Sequence, residues 1–139
     1  MTITKRVVML LITLVGLAGL LNAQRAATTV KAQVPFAFVA NGKTMPAGEC
    51  TIAVLGNGRT LLSINSGDQH TFAFPIADVS ANARKKTALV FRQYGDRYFL
   101  VAVRHEGGTG YQLPAGKLEH ELLSRNLPWQ ELTLLASAK

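Results

Sequence analysis

Residues 87–105 read TALVFRQYGDRYFLVAVRH, and this stretch indicates a β-hairpin. Two runs rich in β-branched and aromatic residues lie on either side of Gly95 and Asp96, a dipeptide suited to a two-residue turn. The second run carries Phe99, Val101 and Val103 on one face and Tyr98, Leu100 and Ala102 on the other. A run that is apolar on both faces predicts a central strand covered on both sides, for instance by a helix on one.

The chain around this hairpin, from Thr28 onward, alternates between apolar and polar residues and has turn signals every 8–12 residues or so. This pattern predicts an all-β domain, an antiparallel sandwich or partly open barrel of about seven strands. Asn41 and Gly42 are the strongest short hairpin signal. Pro35 cannot donate a ladder hydrogen bond, so it predicts an edge strand or a bulge there.

Alternation also assigns side chains to faces. Cys50, Ile52 and Val54 share one face of a strand, and Leu62 and Ile64 are expected to point inward from the next. The following run alternates through His70, Phe72, Phe74 and Ile76. Residues 78–86 lose the period and are predicted to be an exposed loop, with one short turn of helix as an alternative. Residues 106–110 are predicted to be a Gly-rich loop that joins the central hairpin to the helix.

One short helix is predicted near the C-terminus, over residues 116–125. Gly116 can serve as its N-cap with Glu119 at N3, and Pro128 follows its end. The apolar stripe that would pack on the sheet is Leu118, Leu122 and Leu123. In the tail 128–139, Trp129, Leu132, Leu134 and Leu135 indicate docking, but neither the helical nor the strand period fits.

The N-terminus resembles a secretory signal peptide. Lys5 and Arg6 precede an uncharged apolar run, 7–21, which ends close to Ala23. The run has about 15 residues, whereas a membrane-spanning helix needs about 20, so cleavage is favoured over a retained anchor. We therefore predict a signal peptide over 1–23, a β domain with its helix over 24–127, and a tail over 128–139. Cuts after Ala26 or Ala27 are alternatives. The predicted location is secreted or periplasmic, with no transmembrane segment after cleavage.

The composition limits the function classes. The net charge is +7 at pH 7, which favours contact with anionic surfaces such as lipid headgroups or acidic polysaccharide. Export argues against nucleic acid as a partner. Cys50 is the only cysteine, so no internal disulfide can form, and its strand phase predicts burial in the core.

Four sequence blocks carry a family resemblance across nearly the whole mature domain. They are Val34-Pro-Phe-x-Phe38, Gly42-Lys-x-x-Pro-Ala-Gly48, Phe91-x-x-Tyr-Gly-Asp-x-Tyr-Phe-Leu100, and Leu113-Pro114 followed by Glu119-x-Glu-Leu122. In this order they resemble a family of small uncharacterised exported proteins abundant in acidobacteria. Cys50 stands where that family usually shows Tyr, and Gly116 lies near where it often shows a Ser N-cap. The resemblance implies a β domain with a C-terminal helix and carries no established activity or site residues.

No cofactor, metal or catalytic motif is predicted. His105-Glu106 and His120-Glu121 would make a metal site only if the two pairs met in space, because they lack the fixed spacing of metal motifs. Cys50 and His70 could form a nucleophile and base, but the phase of Cys50 argues against it. The serines lack a nucleophile-elbow sequence, and Gly56-Asn-Gly58 is a hairpin turn.

A mixed Arg/Tyr face on the central hairpin is the predicted binding surface. Its residues are Arg92, Tyr94, Arg97, Tyr98 and Arg104. Such a face suits anionic polysaccharide, lipid headgroups or an envelope protein. The first hypothesis is therefore a non-catalytic binding or structural module of the cell envelope or extracellular space.

Two alternatives stay open. One is a small periplasmic hydrolase or metal-dependent enzyme that uses His105, Glu106, His120 or Asp96. The other is a self-assembling surface protein, joined through an edge strand or the tail. The sequence leaves the oligomeric state undetermined.

Overall fold

The computed structural model describes residues 28–56, 59–80, 86–106 and 109–138. The predicted signal peptide, Arg84, Lys85 and the glycines 107–108 lie outside these residues. In chain order the elements are β1 (Thr29–Val34), β2 (Phe38–Ala40), β3 (Lys43–Met45), β4 (Gly48–Leu55), β5 (Leu61–Ser66), β6 (Gln69–Ala73), β7 (Ala77–Ser80), β8 (Ala88–Tyr94), β9 (Arg97–Arg104), β10 (Thr109–Gln112), α1 (Lys117–Ser124), β11 (Gln130–Leu135) and β12 (Ser137–Ala138).

The strands form two sheets that face each other across a shared core. The first sheet has five strands in the order β12-β1-β4-β5-β6, all antiparallel. The second has seven: β11-β8-β9-β10-β7, with β2 paired to β9 in parallel and β3 paired to β2. The sheets do not close into a barrel, so the predicted all-β sandwich with one short C-terminal helix is confirmed.

The core consists of the inward side chains of both sheets, as the alternation predicted. Cys50, Ile52, Leu62 and Ile64 are all fully buried on the first sheet. From the second sheet come Leu89, Phe91, Leu100 and Val103. The rings of Phe36 and Phe38 meet the ring of Phe91 edge to face, with centroids 5.1 and 5.3 Å apart.

The strand number exceeds the predicted one because several runs divide into short strands. Pro35 ends β1, and the chain then changes sheets, so that β2 belongs to the second sheet. The tail divides similarly. β11 pairs with β8 in the second sheet, and after Ala136 the two residues of β12 pair with β1 in the first. Residues 77–80 form β7 and 109–112 form β10, so 78–80 and 109–110 are strand where loops were expected.

The β2–β3 hairpin contacts the β6 edge of the first sheet. Asn41 and Gly42 have φ values of 48° and 77°, the pair of positive angles that a type I′ turn requires. The side chain of Asn41 donates to the backbone oxygen of Phe72 at 2.6 Å, and Lys43 Nζ donates to that of His70 at 2.9 Å. Both acceptors belong to β6, the last strand of the first sheet, so the hairpin occupies part of its free edge.

A β-bulge interrupts the central β8–β9 hairpin between Val90 and Phe91. On the turn side of the bulge Phe91 faces Leu100, and beyond it Val90 faces Ala102, so Val101 is the extra residue. Because one extra residue reverses the alternation of side chains, β9 changes phase along its length. The predicted turn, with Tyr94 opposite Arg97, is confirmed.

Candidate functional site

The five residues of the predicted binding surface do not share one face. Arg92 and Tyr94 alternate on β8 and lie on the outer face of the second sheet, and Arg97 and Arg104 lie on the same side. Tyr98 lies on the inner side, where its ring stacks on Phe36 at 3.8 Å with an interplanar angle of 14°. The bulge is the physical reason, since it places Arg104 and Tyr98 on opposite faces although both have even numbers.

Arg92 is held by two neighbours and is not a free cation. Its Nη1 atom lies 3.1 Å from Oε1 of Glu119, and its guanidinium carbon lies 4.3 Å from the centre of the Trp129 ring. The carboxyl side chain is 4% exposed. Glu119 belongs to α1 and Trp129 immediately precedes β11, so this pair ties the helix and the tail to the outer face of the second sheet.

The helix packs differently from the prediction. Gly116 is the N-cap as expected, but within α1 the buried residue is Glu119, while Leu118 is exposed and Leu122 and Leu123 are half-buried. The apolar stripe therefore does not carry the packing of this helix. Beneath the helix, the sheet presents Arg92, which pairs with Glu119, and the buried rings of Tyr94 and Phe99.

Tyr94 is buried, and its hydroxyl has no hydrogen-bond partner among the described residues. Its ring meets Phe99 edge to face at 5.6 Å. Burial raises the pKa of Tyr94, and the nearby Arg92 guanidinium opposes that rise. Arg104 pairs with Glu131 at 3.5 Å, and Arg97 is exposed. Arg97 is thus the exposed cation of the predicted surface, whereas Arg92 and Arg104 are half-buried and each is paired with a carboxylate.

The titration of Glu119 gives a test of this packing. Burial raises the pKa of Glu119, against the opposing effect of Arg92. Since the pKa is higher in the folded protein than in the unfolded chain, the contribution of Glu119 to stability is present at low pH and lost as the pH rises through the folded pKa. We expect the free energy of unfolding of wild type to fall relative to that of Glu119→Gln between mildly acidic and neutral pH. Urea denaturation of both proteins across that range measures it. A relative rise would mean that attraction to Arg92 outweighs burial.

A groove of about 410 Å³ lies between α1, the β2–β3 hairpin and β9. Its walls include Asn41, Thr44, Leu118 and Glu121, over a floor that contains Phe99. Glu119 also lines it, but one of its carboxylate oxygens is already paired with Arg92. The groove therefore has a mixed lining, with the charged side chains of Lys117 and Glu121 beside the apolar side chains of Leu118 and Phe99.

The candidate enzyme residues are dispersed. His105 and Glu106 line a second groove, of about 440 Å³, beside Lys86 and the tail residues 135–138. His120 lies on α1, and Asp96 is exposed in the β8–β9 turn. Within the described ranges, no three His, Cys, Asp or Glu side chains are grouped so that they could hold a metal ion.

Cys50 and His70 lie on opposite faces of the first sheet. Cys50 is fully buried, as predicted, and burial raises the pKa of its thiol to about 12. His70 is exposed on the outer face, where its ring meets Phe72 edge to face at 4.4 Å. The two residues cannot act as a nucleophile and its base in this arrangement.

The burial of Cys50 has a direct chemical consequence. We expect the thiol to react with iodoacetamide only when the chain unfolds, because the reactive thiolate is scarce and shielded in the folded protein. Mass spectrometry after timed labelling, with a urea-unfolded sample as the control, measures the rate. Equal rates in the two samples would contradict the burial of Cys50.

An exposed apolar surface lies on the outer face of the first sheet, at its β6 end. We call it the edge patch and define it as Leu55, Phe72 and Phe74, together with Ile76, which follows Pro75 where the chain crosses to the second sheet. The backbone N–H of Ile76 donates to the oxygen of Gln112 in β10. The exposed fractions of the four side chains run from 37% to 63%. Leu55 pairs with Leu61, and Ser63 with Phe72, so the alternation places Leu55 and both rings on one side. The Arg59 guanidinium lies 4.6 Å from the centre of the Phe74 ring.

The sequence showed the alternation of Phe72 and Phe74 but not the direction in which the two rings point. Phe72 and Phe74 alternate with Ala73, and large apolar residues normally face the core. Here Ala73 is buried opposite Leu62, so the rings point outward. The phase of β5 could have revealed this direction. Leu62 and Ile64 face inward, and their partners on β6, Ala73 and Thr71, must therefore face inward too.

A scan against protein-family models, a search of curated proteins and a search of solved structures each find no match to this chain. In the described part of the chain, no helix has both the length and the apolar character needed to cross a membrane.

Proposed function

We propose that this protein is an exported, non-catalytic binding module of the cell envelope or extracellular space, and that it contacts its partner through the edge patch. The observation that carries the proposal is the exposure of two phenylalanines and a leucine on one face of the first sheet, with Ile76 exposed two positions after Phe74. Large apolar side chains that are grouped in this way mark interaction sites, whereas single ones need no explanation.

Two further features support a binding module. Lys5 and Arg6 before the apolar run 7–21 are typical of a chain that is exported. The candidate catalytic residues of the described chain are either buried, as Cys50 is, or lie in separate places, as His105 and His120 do. This arrangement favours binding over covalent chemistry.

Export and binding are tested together by expressing the full chain in a bacterial host and separating the cell fractions. Mass spectrometry of the recovered protein should show loss of residues up to Ala23, Ala26 or Ala27. The protein should then sediment with isolated cell envelopes, and Phe72→Ala/Phe74→Ala should reduce the bound fraction at least about tenfold, because two half-buried rings are lost from the contact.

Leu135→Ala is the matched control, because Leu135 is 68% exposed but lies on the other sheet. It should bind as wild type does. Binding by the double variant that equals wild type, or no envelope binding by wild type, would overturn the proposal. Thermal denaturation of all three proteins confirms that they are folded.

A further inference from the structure

We infer that the partner of the edge patch is an anionic phospholipid bilayer, into which Phe72, Phe74 and Ile76 insert while Arg59 and Lys43 contact the headgroups. This inference rests on the proposed function, because it names the partner of the same surface. It is carried by the composition of the patch and by the cations that border it.

The apolar members match the depth of a bilayer interface. Phe72 and Phe74 are two residues apart on one face, hence about 7 Å apart along the chain. Ile76 follows them with 63% of its surface exposed, and Leu55 adds an aliphatic side chain from the neighbouring hairpin. Amphipathic helices that bind at the membrane interface bury their apolar faces about 5–10 Å into the boundary between headgroups and acyl chains. Exposed side chains of this size can enter the same layer.

Two cations border the edge patch at opposite ends. Arg59 lies over the ring of Phe74, and Lys43 reaches the backbone oxygen of His70. Both have donors left for phosphate oxygens, since an ammonium has three and a guanidinium five. Long basic side chains can extend from an apolar surface to the headgroup level. Asp68, in the turn before β6, is the acid near the Lys43 end. The net charge of the chain is +7, and it is +5 once residues 1–23, with Lys5 and Arg6, are removed.

The aliphatic members favour a bilayer over an acidic polysaccharide. A sugar ring stacks on an aromatic face, which Phe72 and Phe74 could provide. Leu55 and Ile76 have no flat face, and their exposed surfaces gain most by transfer to acyl chains. A polysaccharide would therefore leave about half of the edge patch without a complementary partner.

The test places a single indole in the edge patch of the full chain. Trp129→Phe removes the native indole and keeps a ring beneath Arg92, and Phe74→Trp adds the reporter. With vesicles of phosphatidylglycerol brominated in the acyl chains, fluorescence of the introduced indole should be quenched. The matched control is Trp129→Phe/Leu135→Trp, whose indole lies on the other sheet and should not be quenched. This comparison holds whether or not residues 7–21 are retained.

Charge is tested by a second pair of measurements. Arg59→Ala should weaken binding to phosphatidylglycerol vesicles about fivefold, the effect expected of one cation near an anionic surface. It should leave the weaker binding to neutral phosphatidylcholine vesicles unchanged. An equal loss for both lipids would contradict headgroup contact by Arg59.

The outcomes separate the inference from the proposed function. Absence of quenching at position 74, or equal quenching at both positions, overturns the lipid inference. If Phe72→Ala/Phe74→Ala still abolishes envelope binding, the proposed function stands with a polysaccharide or protein as partner. A concentration-dependent blue shift of the introduced indole without vesicles would mean that a second copy covers the edge patch, and it would also overturn the inference.

Discussion

Replacing Phe91 with alanine is expected to lower the free energy of unfolding by about 3–5 kcal/mol, the cost of truncating a fully buried ring. Phe91 is completely buried on the second sheet, and it meets two rings edge to face: that of Phe36, between β1 and β2, and that of Phe38, in β2. The change leaves a cavity and removes both aromatic contacts. Domains of this kind are stable by only about 5–15 kcal/mol, so the variant should be largely unfolded at moderate urea concentrations.

Phe72→Ala is the control for this experiment, because it removes the same ring from a half-exposed position. Its expected cost is about 1 kcal/mol or less. Urea denaturation followed by circular dichroism compares the two variants with wild type. Similar midpoints for Phe91→Ala and Phe72→Ala would show that Phe91 does not form the centre of the core.

Deletion of residues 130–139 is the second large change, and we expect the shortened chain to lose cooperative folding. β11 pairs with β8 along six residues, and its side chains Leu132 and Leu134 pack against the core. Two such leucines contribute about 1–2 kcal/mol each, and every ladder hydrogen bond adds about 0.5–1.5 kcal/mol. The deletion also uncovers the edge of β8, a strand that other chains could pair with, so aggregation is expected.

The matched control removes residues 137–139 only. This deletion takes away β12, whose two residues are exposed and pair only with Val30 and Lys31. Its expected cost is about 1 kcal/mol. Denaturation curves and sedimentation velocity distinguish the two shortened chains. A folded, monomeric product of the longer deletion would show that β11 is dispensable.

Local signals predicted the turns and the helix well. The hairpins at Asn41-Gly42 and Gly95-Asp96 were readable because their backbone angles demand particular residues. The position of α1 followed from Gly116 and from Pro128 beyond it. The burial of Cys50 followed from simple alternation with Ile52.

Features that depend on contacts between strands were harder to predict from the sequence. Nothing near Val101 marks it as the extra residue of a bulge, so the phase change that separates Tyr98 from Arg104 could not be foreseen. In the tail, Leu132 and Leu134 alternate as a strand requires. Leu135 is also apolar but is exposed, so it breaks the alternation of apolar and polar residues in the sequence.

The edge patch was missed for a related reason. The alternation of Phe72 and Phe74 was visible, but which side of β6 faced the core depends on its pairing with β5. The residues of one strand do not specify which strand it pairs with or in which register, so the buried face of β6 could not be predicted from β6 alone.

The path of the tail between the two sheets also bears on how fast the chain folds. Ser137 lies beside Lys31, and the two are separated by 106 positions in the chain. Contacts between such distant segments raise the contact order, and sandwiches of high contact order fold in about milliseconds to seconds. β1 can therefore pair with β12, its outer neighbour, only after residues 137 and 138 have been synthesised.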